Sequence, residues 1–156
     1  MRLVGFALVF AVSVFVGKYF SDKENRKIVI CEELCGFLQY LCQAVSKNLK
    51  IDDIIRNYCS ENKSIITGAT TKSELSEMLR YEMEHGNSGE LLQKTLSFLD
   101  SVGKAGDAGE ERANCIEMLD MAKKISEAVS EESRKRKELY RKLGVIFGVT
   151  ACIVLM

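Results

Sequence analysis

Residues 139–156 read LYRKLGVIFGVTACIVLM. After Arg141 and Lys142, no charged side chain follows over residues 143–156. As an α-helix the eighteen residues would be about 27 Å long, close to the roughly 30 Å of a bilayer's hydrocarbon core. A tail folded into a protein core would also be apolar. The dense positive charge directly before it, at Arg134, Lys135, Arg136, Lys137, Arg141 and Lys142, favours lipid. The reading is therefore a C-terminal transmembrane helix over residues 139–156, with Tyr140 and the basic residues at the membrane interface.

The other end mirrors it. Residues 3–16 read LVGFALVFAVSVFV, again without charge, and Gly17, Lys18, Tyr19 and Phe20 follow. Fourteen residues make about 21 Å of helix, which is short. The flank to Phe20 lengthens it, because Lys18 can snorkel and Tyr19 suits the interface. The rival is a cleaved signal peptide with a site at Ala11-Val12-Ser13, but cleavage there would leave Val-Phe-Val exposed at a new terminus. Residues 1–20 are read as an N-terminal transmembrane helix. Only Arg2 precedes the first apolar run, whereas Lys18, Lys23, Arg26 and Lys27 follow it. The positive-inside rule places residues 21–138 in the cytoplasm and both termini outside.

Between the ends the composition is helical. The 156 residues include no proline and no tryptophan, and 22 basic residues balance 22 acidic ones. Zero net charge gives no reason to expect nucleic acid as a partner. Ile28, Cys31, Leu34, Cys35, Leu38, Cys42 and Val45 form one stripe of a helix over residues 22–48. Ile51, Ile54, Ile55 and Tyr58 face inward from a short second helix. Thr71-Lys72-Ser73-Glu74 fits a capping box opening a third, with Leu75, Met78, Leu79 and Met83, ending near Gly86. A fourth carries Leu91, Leu92, Leu96, Phe98 and Leu99. The last is expected to run unbroken from about Glu110 into the C-terminal span. Its buried stripe is Ile116, Leu119, Ala122, Ile125 and Val129, and its segment 130–138, SEESRKRKE, is polar on every side. Such a helix is an exposed stalk unless a partner covers it.

Chemistry-bearing constellations are weak. Six cysteines, Cys31, Cys35, Cys42, Cys59, Cys115 and Cys152, sit within helical patterns and read as small core residues. Cys31, Cys35 and Cys42 make the one plausible thiol or zinc cluster, which needs a further ligand that spacing does not supply. His85, the single histidine, sits beside Gly86 at a helix end, where a cation is favourable. Paired carboxylates such as Glu32-Glu33 and Glu131-Glu132 point about 100° apart on a helix and do not converge. Residues 101–109, SVGKAGDAG, lack a P-loop's Gly-Lys-Ser/Thr and any preceding strand. No catalytic, cofactor or metal site and no small-molecule substrate is expected.

In residues 99–107, LDSVGKAGD, and 138–145, ELYRKLGV, the chain resembles the stage III sporulation protein AB family: a leucine-glycine turn followed by an aspartate, then an aromatic and basic residue leading into Leu-Gly and the apolar tail. The opening, residues 3–6, LVGF, is also similar. The chain departs from the family in having no proline over residues 46–51, SKNLKI. The resemblance implies an all-α protein: a cytoplasmic helical bundle similar to the type II secretion inner-membrane platform domain, flanked by N- and C-terminal transmembrane helices. It implies a scaffold subunit in the mother-cell membrane, within the channel complex linking mother cell and forespore. Its implied partners are a cytoplasmic ATPase, other channel subunits and membrane lipids. Gly103, Lys104, Gly106 and Asp107 are the candidate partner-facing turn. The alternatives are a two-span adaptor unconnected to sporulation and a thiol or zinc sensor using Cys31, Cys35 and Cys42.

Overall fold

A computed structural model of the chain describes residues 2–45, 50–61, 68–86, 89–102 and 108–154. Five helices follow in order: α1 Arg2–Val45, α2 Ile51–Glu61, α3 Lys72–Glu84, α4 Gly89–Ser101 and α5 Ala108–Val154. No strand occurs among the described residues, so the chain is all-α as its composition requires. The helices form two units. One holds Val29–Val129, and the other joins Met1–Ile28 to Ser130–Met156.

The first apolar segment and the first middle helix, expected as separate elements, are one helix of 44 residues. Residues 17–24, GKYFSDKE, contain no proline, so every backbone amide can donate within the helix and nothing stops it. The unbroken last helix is as expected. At 47 residues, α5 is about 70 Å long.

In the Val29–Val129 unit, α1 is the central element. Leu34, Phe37, Leu38 and Leu41 are fully buried, and Ile30 and Ala44 are buried beside them. The buried arc is wider than the single stripe read from sequence, since several neighbours pack on α1. From α2 come Ile54 and Ile55, from α3 Leu75 and Leu79, from α4 Leu91, Leu92 and Leu99, and from α5 Cys115, Met118 and Ala122. Each such leucine or isoleucine contributes about 1.5–3 kcal/mol on burial. Tyr58 lies against Phe37 and Tyr40 with ring centroids 5.4 Å away in both cases. It fits because Gly36 has no side chain: a Cβ there would sit 3.1 Å from the Tyr58 hydroxyl. The expected α5 stripe holds at Leu119, Ala122, Ile125 and Val129, which lie in or against the core, and is corrected at Ile116 alone. Ile116 is 47% exposed, and Cys115 with Met118 takes the inward place. Hydrophobicity favoured isoleucine over cysteine, but the helix can turn only one of two neighbours inward.

The start of α3 follows its capping chemistry, with a shift of partner. The Glu74 amide donates to Thr71 Oγ1 at 3.3 Å. The Glu74 carboxylate reaches past the cap residue to Thr70, accepting from its amide at 2.7 Å and its hydroxyl at 2.9 Å. These bonds hold that carboxyl below its usual pKa. Asp52 of α2 accepts from the Lys72 amide at 2.8 Å and so ties α2 to this helix start. At the other end Gly86 takes φ +74°, a left-handed stop that glycine adopts without strain. In α4, the fully buried Thr95 hydroxyl donates to the Leu91 carbonyl at 2.8 Å, which satisfies it inside the core.

Candidate membrane hairpin and its basic collar

The unit of Met1–Ile28 and Ser130–Met156 is an antiparallel pair, with α1 climbing in number as α5 descends. Three levels of contact establish the register. Phe10 and Ser13 meet Gly148, Gly17 meets Gly144, and Glu24 meets Ser133. Phe20 lies beside Tyr140 between the last two, with ring centroids 5.4 Å apart.

Small residues make the approach close. A Cβ on Gly17 would stand 2.8 Å from the Tyr140 carbonyl oxygen and 3.0 Å from the Gly144 Cα. A Cβ on Gly144 would stand 3.1 Å from both the Gly17 Cα and the Ser13 carbonyl oxygen. Gly144 and Gly148 are one turn apart, as are Ser13 and Gly17, so two small-x-x-x-small faces oppose each other. This pattern is legible in the sequence, and hydropathy reasoning passed over it. Helices in lipid associate through such small residues, because backbones must come close for dispersion forces to hold them.

Outside this seam the pair is apolar and uncovered. Among the described residues, every exposed large hydrophobic side chain except Tyr81 and Ile116 lies here. Phe15 is 76% exposed and Val154 79%, with Leu8, Val12, Ile146, Phe147 and Ile153 also outward. Soluble monomers rarely expose contiguous apolar patches beyond a few hundred Å². By length and composition, α1 from Ala7 onward is a helix able to cross a membrane.

Below the apolar part lies a polar clasp. Glu24 is only 5% exposed and accepts from the Ser133 hydroxyl at 3.0 Å, while Lys27 pairs with it at 2.8 Å. Lys137 donates to the Asn25 side-chain oxygen at 2.8 Å. The segment 130–138 is therefore not a bare stalk. Ser133 is buried against α1, which covers one side of the segment and leaves Glu131, Glu132, Arg134, Lys135, Arg136 and Glu138 exposed. A charged carboxylate is held in a buried position because a cation and a hydroxyl both reach it.

The interface residues expected from sequence cluster at this level. Lys18 and Tyr19 on α1, and Arg134, Lys135, Arg136, Arg141 and Lys142 on α5, are exposed, while Lys137 and Tyr140 are partly covered. Arg136 pairs with Glu132, and Lys142 with Glu138 at 2.7 Å. The Glu132 hydrogen bond raises the Arg136 pKa, and Lys142 lowers that of Glu138. The candidate turn Gly103, Lys104, Gly106 and Asp107 lies outside the described residues.

The thiols behave as core residues. Burial raises the pKa of Cys35, Cys42 and Cys59 and pushes Cys115, which is hydrogen-bonded to Cys42, up to about 12. A thiolate is needed both to attack and to ligate metal, and these sites disfavour it. Among the described residues, no group of three His, Cys, Asp or Glu side chains could hold a metal ion. His85 caps α3, its Nδ1 2.7 Å from the Tyr81 carbonyl oxygen and its ring stacked on Tyr81 at 4.0 Å. Compared with family models, curated proteins and solved structures, the chain matches none.

Proposed function

We propose that the chain is a non-enzymatic scaffold, held in a membrane by the α1–α5 hairpin and offering its Val29–Val129 bundle to partner proteins. The observation that carries this reading is the concentration of uncovered apolar side chains on the hairpin, directly above a belt of lysine and arginine. In this reading both apolar segments cross the bilayer, the termini lie outside, and the bundle is cytoplasmic, on the side where the basic residues gather. Two anchors packed along a glycine seam restrict swivelling, which a single span permits. That suits a part that transmits position or force.

The resemblance of residues 99–107 and 138–145 to the stage III sporulation protein AB family extends the proposal. The chain would then be a secretion-platform-like subunit in the mother-cell membrane, working with a cytoplasmic ATPase and other channel proteins. The raised pKa values of Cys35 and Cys42, caused by burial, speak against the rival thiol or zinc sensor.

Two experiments test the parts separately. Alkaline carbonate should leave the full chain in the membrane pellet, and a reporter inserted near residue 90 should report from the cytoplasm. Release of the intact chain, or a reporter beyond the bilayer, overturns the anchor. Crosslinking in sporulating cells should recover the ATPase or a ring-forming membrane protein. Recovery of neither reduces the proposal to a general two-span adaptor.

A further inference from the structure

We infer that the collar of the hairpin selects anionic phospholipid headgroups, through Lys18, Lys23, Arg134, Lys135 and Arg141. The inference rests on the membrane reading above and adds to it a lipid class and a division of labour among the basic residues.

The helix register makes one collar out of two distant sequence segments. With Gly17 on Gly144, Glu24 on Ser133 and Asn25 on Lys137, residues 18–27 run beside residues 130–142. These segments hold ten Lys and Arg residues against five carboxylates, a net charge of +5. The belt is about 15–20 Å deep along the helix axis.

Its cations fall into two sets. Lys27 is held by Glu24, Arg136 by Glu132 and Lys142 by Glu138, Lys137 is used on Asn25, and Arg26 is engaged as well. Lys18, Lys23, Arg134, Lys135 and Arg141 are exposed and have no ion pair or hydrogen bond to the described residues. Arg134 and Arg141 lie seven residues apart on one side of α5, at nearly the same angle around the helix. Their guanidinium groups suit two-pronged binding of phosphate oxygens.

A zwitterionic headgroup brings its own cation and leaves the collar's charge uncompensated. An anionic phospholipid neutralises it. An acidic protein could also meet the charge, but it would leave the adjoining Phe15, Ile146 and Phe147 uncovered. Lipid satisfies both surfaces at once.

The test uses the full chain reconstituted in phosphatidylcholine bilayers with a trace of spin-labelled phosphatidylglycerol or phosphatidylcholine. The measurement is the relative association of each label with the protein. Phosphatidylglycerol should be preferred by roughly fivefold or more at low salt, the effect of about one such charge near a membrane surface, and much less at 1 M salt. The variant K18Q/K23Q/R134Q/K135Q/R141Q should lose most of this preference, and the smaller R134Q/K135Q should lose part of it. The variant R136Q/K142Q, which removes two cations paired with exposed carboxylates, should keep the greater part.

Equal association of the two labels with the native chain overturns the inference while leaving the anchor intact. So does an equal loss in the free-cation and paired-cation variants. Inorganic phosphate that displaces the labelled lipid more strongly than chloride of equal ionic strength shows a site for free phosphate, which also overturns it. Extraction of the native chain by carbonate overturns the anchor and the inference together.

Discussion

At the scale of single residues, two groups decide the hairpin. Gly144 allows α5 to touch the backbone of α1, and an added side chain would meet main-chain atoms that cannot rotate away. Gly144→Val should therefore cost about 1–3 kcal/mol by overpacking. The measurement is reversible unfolding of the full chain in mild detergent. Gly5, whose Cβ would meet nothing within 4 Å, supplies the control, and Gly5→Ala should not destabilise. A Gly144→Val protein as stable as the native one would refute the close seam. The second group is Ser133. Ser133→Ala removes only the hydroxyl and leaves Glu24 Oε2 without that donor in a buried place. The expected loss is about 1–3 kcal/mol. Lys27 still reaches Glu24, so the carboxylate is not left alone.

At the scale of elements, the bundle's packing can be probed by which face of a helix a residue occupies. Leu38 on α1 is fully buried, and Leu38→Ala should cost about 2–5 kcal/mol. Ile116→Ala on the outer face of α5 should stay within about 0.5 kcal/mol. A large loss at Ile116 would restore the inward place expected for it from sequence. The thiols and Tyr58, spread over α1, α2 and α5, make stability depend on alkaline pH. Burial raises Cys35, Cys42, Cys59 and Tyr58, and takes Cys115 from 9.0 to about 12. The folded chain thus holds these protons more tightly than the unfolded one. Their contribution is full below pH 9 and is lost as pH rises from there toward 12. Urea midpoints measured from pH 8 to pH 11 should fall with pH, and Cys115→Ala should flatten the slope. A midpoint independent of pH over that range would mean the thiols are not buried.

At the scale of the whole molecule, the apolar exposure of the hairpin is the feature that a change of surroundings must explain. Val12, Phe15, Ile146 and Phe147 all point outward, so lysines there do not disturb the glycine seam. Each would cost about 2.5–3.5 kcal/mol at the centre of a bilayer. Val12→Lys, Phe15→Lys, Ile146→Lys and Phe147→Lys together should prevent membrane insertion. Circular dichroism should still show the helix content of the bundle. Retention of that variant in a carbonate-washed membrane would mean that protein, not lipid, covers these faces.

Much of this was legible in the sequence. The absence of proline and the spacing of Leu34, Leu38, Leu75, Leu79, Leu91 and Leu92 determined that the chain is helical and which faces of α1, α3 and α4 turn inward. The cap at Thr71 and the stop at Gly86 were equally local, because capping depends on a few neighbouring residues. Other features depended on residues far apart in the chain. Whether the 130–138 segment was bare or covered depended on Glu24 and Asn25, more than a hundred residues away. The choice between Cys115 and Ile116 turned on the rotation of α5 against its neighbours, a difference of about 100° that composition does not encode. The pairing of Ser13 and Gly17 with Gly144 and Gly148 set the register, and the register made two basic segments into one collar. Periodicity specifies a helix and its apolar face, but only packing decides what that face meets, since burial is a property of the partner as much as of the residue.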